Sequence, residues 1–177
     1  QVNAQNVPRI AVVPEDKASE YAKLIVQDLD VRMKPLNTLA NEILRKLSGR
    51  STITLPSAQG ELKLTSEQFL LAVQLDPMMF SQLPVIKIDK EKSHLAFKAL
   101  GVKPTDRLSF RAFLNKDGEY LLHQLVEDAN KLKPAERNEG HKELLKTDER
   151  FNIFYALLTG DFLRIFPQKE DANNTWF

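Results

Sequence analysis

His94, His123 and His141 are the three histidines of this 177-residue chain and the first candidates for metal, haem or acid–base chemistry. Two imidazoles share one metal from one helix face when they lie three or four residues apart. These three are spaced far more widely. His94 and His123 fall inside helical patterns, where a surface or half-buried imidazole is ordinary, so the reading favours bystanders over ligands. The chain has no cysteine, which removes thiolate nucleophiles, disulfides, Cys-ligated zinc and dithiol redox chemistry together. Asp28 and Asp30 flank a short connection. A carboxylate pair can do acid–base work, but acidic residues in turns more often accept local backbone hydrogen bonds. No serine sits in a Gly-x-Ser-x-Gly setting. The six glycines never cluster into a phosphate cradle. The residues therefore assign no catalytic, cofactor-binding or metal-binding side chain.

Two segments stand out all the same. In the first, Gln27, Asp28, Arg32, Lys34, Pro35, Asn37 and Thr38 place a polar hairpin directly before a helix that Thr38 is expected to cap. Plain turn and cap chemistry is the simpler account of it. In the second, Asp148, Glu149, Arg150 and Asn152 lie in the middle of the longest amphipathic pattern. Asp148 falls near the buried stripe, and Glu149 and Arg150 are expected to point outward. A solvated helix face explains this pattern. The alternative is a buried pair of Asp148 or Glu149 with Arg32, which would fix geometry more than add stability.

The elements that must position these residues follow from periodicity and punctuation. Arg9–Val13 reads as a short strand. Pro14 opens a helix over 15–24. Leu24–Gln27 and Val31–Met33 form a hairpin across Asp28–Asp30, closed by Pro35. A helix then runs to Gly49. Thr52–Leu55 and Glu61–Leu64 form a second hairpin around a 56–60 turn. Thr65 and Gln68 make a capping box for the next helix, which Asp76-Pro77 ends. Val85–Ile88 is a strand, Glu91–Leu100 a helix stopped by Gly101, and Asp117 caps a helix reaching Lys133. Asn138–Leu158 is the longest helix, and Phe162–Pro167 is extended. The fold class is α+β, a mainly helical single domain with short hairpins. Its mixed part is 1–103 and its helical part 104–177.

Composition agrees with a folded domain, at 42% hydrophobic and 28% charged residues. With 25 basic and 24 acidic residues there is no overall field to gather nucleic acid. No apolar run approaches the ~18–20 residues that span a bilayer. The N-terminus lacks a signal peptide, and the C-terminus stops on Trp176-Phe177, so the chain reads as a piece of a longer protein.

The two segments also carry a resemblance. Leu24-Ile25-Val26-Gln27-Asp28, followed by Arg32, Lys34-Pro35-Leu36-Asn37-Thr38-Leu39, is similar to a motif of fused bacterial system II cytochrome c synthases. These join a ResB-like half to a CcsA-like half. Phe80–Ile88, Gly118-Glu119-Tyr120, Asp148–Ile153, Thr159-Gly160, Leu163–Pro167 and Asn173–Trp176 match in the same order. One departure is Val31, where the pattern carries glycine. A β-branched residue resists positive φ, so this turn is expected to be built differently.

The resemblance implies an extracytoplasmic domain of the ResB-like half, on the periplasmic side of the inner membrane. The whole resembled protein is a haem-attaching synthase, and the isolated domain is expected not to be an enzyme. Haem is handled elsewhere in such a protein, so no cofactor is expected here. The implied partners are the membrane-embedded CcsA-like half and apocytochrome c or a thiol-reducing partner. A purely structural spacer, or an unrelated small-ligand-binding domain, are the alternatives.

Overall fold

The computed structural model describes residues 9–28, 31–58, 60–166 and 176. The architecture is α+β and mainly helical, with seven α-helices and three two-stranded antiparallel sheets among the described residues. Two compact units divide the chain, one from Gln1–Phe80 with Ala156–Phe177 and one from Ser81–Tyr155.

In the first unit, α1 (Glu15–Tyr21) follows Pro14 and carries Glu15 and Asp16 in its first turn, where acids suit the helix dipole. Strand β1 (Ile25–Gln27) pairs with β2 (Met33–Pro35), placing Val26 opposite Lys34 and Gln27 opposite Met33. Helix α2 (Leu36–Ser48) buries Leu36, Leu39, Ala40, Ile43, Leu44 and Leu47, a stripe at helical spacing. Gly49 ends it at φ 76°, a left-handed turn that glycine adopts without strain.

Strand β3 (Thr52–Ser57) pairs with β4 (Gly60–Thr65), and Ile53, Leu55 and Leu64 face inward. These strands run further than the sequence pattern indicates, because Pro56 joins the ladder opposite Glu61. Helix α3 (Ser66–Leu75) opens with the expected reciprocal capping box of Thr65 and Gln68. Gln68 also donates to the Val13 carbonyl at 3.0 Å. Arg9–Val13 do not form the expected strand. Helix α4 (Pro77–Phe80) seats Phe80 edge-on against Phe69 at 5.8 Å.

In the second unit, β5 (Ile86–Lys87) pairs with β6 (Arg107–Leu108), and α5 (His94–Leu100) stops at Gly101. A 3-10 turn, Phe110–Phe113, delivers two buried rings. Helix α6 (His123–Lys131) begins later than expected, because Asp117 does not cap it. The Asn115 side-chain oxygen instead accepts from the Asp117 and Glu119 N–H groups, making a turn of residues 115–119. The Arg137 guanidinium caps the end of α6 through the Ala129, Leu132 and Asn130 carbonyls. Helix α7 (Glu139–Thr159) is the longest, and Asn138 accepts the His141 N–H at its start.

Candidate functional site

The first motif folds into a clamp around one carboxylate. Asp28 directly follows β1, with its side chain only 7% exposed. It accepts from the Arg32 backbone N–H at 2.9 Å, from Arg32 Nε at 3.1 Å and from Lys34 Nζ at 2.8 Å. Lys34 lies on the inner face of the hairpin and also reaches Glu42 of α2 at 2.7 Å. Burial pushes the Asp28 carboxyl up, but the Lys34 hydrogen bond, the Arg32 N–H, the Lys34 charge and the Arg32 side-chain hydrogen bond outweigh it and hold the group at about 2. Lys34 is raised in turn by its bonds to Asp28 and Glu42.

Gln27 does equivalent work with neutral groups. It is buried, its amide nitrogen donates to the Val31 carbonyl at 3.4 Å, and its side-chain oxygen accepts the Trp176 N–H at 2.7 Å. Its own N–H donates to the Arg164 carbonyl at 2.9 Å. The first motif and the segments around Leu163–Phe166 and Trp176 therefore meet in one place.

The turn itself corrects an expectation. Val31 stands at φ 64°, so the left-handed geometry is kept although the residue is β-branched. That position delays the second strand, which starts at Met33 and not at Val31. Asp30, the other half of the carboxylate pair considered above, lies outside the described residues.

Pro35 closes the hairpin as expected and also serves as the N-cap residue of α2, with extended backbone. Thr38 is therefore inside the first turn and does not cap. Its hydroxyl donates to the Asn37 side-chain oxygen at 3.2 Å. Asn37 anchors the turn through its N–H to the Ala22 carbonyl. With Asn41, Glu42 and Arg45 these two residues line an open polar depression on α2.

The second motif is a hub on α7. Arg150 turns inward, contrary to the expected outward pose. Its guanidinium, 17% exposed, reaches the buried Glu143 carboxylate at 3.0 Å and the Lys87 carbonyl of β5 at 3.2 Å. Phe151 stacks on Tyr120 at 4.1 Å on one side and on Phe110 at 4.7 Å on the other, and touches Phe113. Asp148 accepts from Asn152 at 3.1 Å. The Tyr120 hydroxyl is buried beside Asp148 without meeting ordinary hydrogen-bond geometry. Burial, and then the Asp148 charge, raise its pKa. Glu149 and Asn152 are exposed.

The second motif thus knits together Lys87 of the Phe80–Ile88 segment and Tyr120 of the Gly118–Tyr120 segment. The two motifs lie in different compact units, and each has partners within its own. The participation of Asp28 and Arg150 could have been suspected from Asp28-x-x-x-Arg32-x-Lys34 and from Glu143 one helical face before Arg150. Glu143 is not among the expected site residues, although its spacing of seven from Arg150 puts the two on one face of α7.

The histidines stand apart from both clusters. His123 is exposed on α6 at 3.3 Å from Glu127. The exposed His94 ring packs over Gly140, where an added Cβ would come within 2.9 Å of it. His141 is half-buried, with Nδ1 unpartnered. Among the described residues no three His, Asp or Glu side chains converge as a metal site. No described helix is long and apolar enough to cross a membrane.

The site and fold therefore define a mainly helical α+β protein whose motif residues form internal clamps. No protein-family model matches the chain. It is similar to Protein NrfI of Wolinella succinogenes, 32% identical over 162 residues that make up 92% of this chain. The match spans only 17% of the relative's own length.

Proposed function

We propose that this chain is the extracytoplasmic domain of a cytochrome c biogenesis protein, corresponding to the ResB-like half of a system II synthase. The observation that carries this reading is the relation to Protein NrfI along nearly the whole chain, which supports a role in cytochrome c biogenesis or maturation. The ordered motifs point the same way. In this reading the domain faces the periplasm and supports the joining of haem to apocytochrome c, with haem delivered by the CcsA-like half. The domain contributes no cofactor ligand and no reacting group of its own.

The clamps give the reading a physical form. Asp28 and Arg150 hold their units in fixed shape. Asn37, Thr38, Glu149 and Asn152 stay at the surface, where a reduced apocytochrome segment or a thiol-reducing partner can dock. Binding of a reduced peptide bearing Cys-x-x-Cys-His, followed by fluorescence anisotropy, tests this docking role. Binding that weakens in Asn37→Ala/Thr38→Ala or in Glu149→Ala supports docking. Absence of binding leaves the domain a spacer, the reading that the inward-turned Asp28 and Arg150 favour. Haem titrated into the chain is expected to give no stoichiometric Soret shift, and tight binding would return His94 or His141 to consideration.

A further inference from the structure

The outer face of the β1–β2 hairpin is the most apolar exposed surface among the described residues. Nine large apolar side chains are exposed among the described residues, and five of them, Leu24, Ile25, Val31, Met33 and Phe166, lie on this hairpin or on the segment bridged to it. The register explains their company. Val26 and Lys34 oppose one another on the inner face, so Ile25 and Met33 share the outer one as diagonal neighbours. The antiparallel bridge of Gln27 to Arg164 carries the following residues back along β1 toward Ile25, and Phe166 is 58% exposed there. Val31 holds the tip at φ 64° with its side chain 44% exposed. A strained turn that presents an apolar side chain to solvent is a feature that binding can justify and folding alone does not.

Three basic residues lie near this face among the described residues, while Asp30, next to Val31 in the sequence, lies outside them. Arg32 follows Val31 with its side chain 67% exposed even while it touches Asp28. Exposed Lys23 leads into β1, and Arg164 lies on the bridged segment. Asp28, the carboxylate directly after β1, is buried beneath Lys34. The exposed apolar area is on the order of a few hundred Å², the size of a functional patch on a monomer. That falls short of the ~800 Å² per partner that a standard protein interface buries. A small apolar face rimmed by cations suits shallow insertion at an anionic lipid surface.

We propose that this hairpin face, with Ile25, Met33, Val31 and Phe166 inserting and Lys23, Arg32 and Arg164 meeting headgroups, rests the domain on an anionic bilayer surface. The proposal goes beyond the docking role above and uses a different surface. The test is co-sedimentation of the 177-residue chain with phosphatidylcholine vesicles, with and without phosphatidylglycerol. Binding is expected to the anionic vesicles, to fall as salt rises, and to weaken about tenfold or more in Ile25→Ser/Met33→Ser. Lys23→Glu tests the charge without touching the apolar face and is expected to weaken binding several-fold. Thermal melting of each variant checks that the fold is intact. Equal binding of the double variant and the parent, or no binding to anionic vesicles, overturns the proposal. So does self-association of the parent through this face, seen as a dimer that the double variant abolishes.

Discussion

Asp28→Asn keeps the shape of a buried side chain and removes the charge that Arg32 and Lys34 share. Its cost can be worked from the geometry. A carboxyl held at about 2 in place of its ordinary 3.8 contributes about 2 kcal/mol at neutral pH. Lys34 keeps Glu42 as a partner, so the ammonium is not left wholly uncompensated. The variant should therefore lose about 2–3 kcal/mol, below the ~3–5 kcal/mol of a buried pair broken outright. Urea unfolding at pH 7 measures this directly. The sign of the pH dependence follows from the depressed pKa. The Asp28 contribution is complete above about pH 4 and is lost as pH falls through about 2. The parent should therefore lose stability between pH 4 and 2 more steeply than Asp28→Asn. A loss below about 0.5 kcal/mol, or equal acid slopes in the two proteins, refutes the clamp, since a pair of that worth would then be a surface pair.

Two further substitutions test the other constraints. Arg150→Met retains the aliphatic stem but leaves Glu143, whose side chain is 7% exposed, with Lys146 at 3.2 Å as its remaining cation, and should cost about 1–3 kcal/mol by thermal or urea unfolding. Adding Glu143→Gln should then cost less than the separate effects predict, and strict additivity would count against the pairing. Val31→Gly removes the ~1–2 kcal/mol of left-handed strain and adds ~0.5–1 kcal/mol of unfolded-chain entropy. The net expectation is a rise in melting temperature of roughly 1–3 °C, and a fall would mean that the turn is not strained.

Local signals in the chain were readable wherever one residue type decides the backbone. Gly49 and Gly101 mark helix ends, and Thr65 with Gln68 marks a helix start, because these motifs act within a few residues. Both long-range features of the site escaped such reading. Whether Asp28 is buried depends on α2 bringing Glu42 against Lys34 from eight residues away. Whether Arg150 turns inward depends on Lys87, 63 residues earlier. Thr38 misled because Pro35, with its extended backbone, starts α2 three residues sooner. Asp117 misled because Asn115 takes the turn for itself. Val31 could be recognised as anomalous, but only coordinates could show that the left-handed turn persists in spite of it.

In the proposed function, this chain supports cytochrome c maturation through the surfaces that its two motifs hold. The most direct measurement is holocytochrome c in cells whose full-length protein carries Asn37→Ala/Thr38→Ala or Glu149→Ala, with the protein's abundance followed in parallel. Impaired haem attachment at unchanged abundance is expected. Normal holocytochrome c in both variants would contradict it.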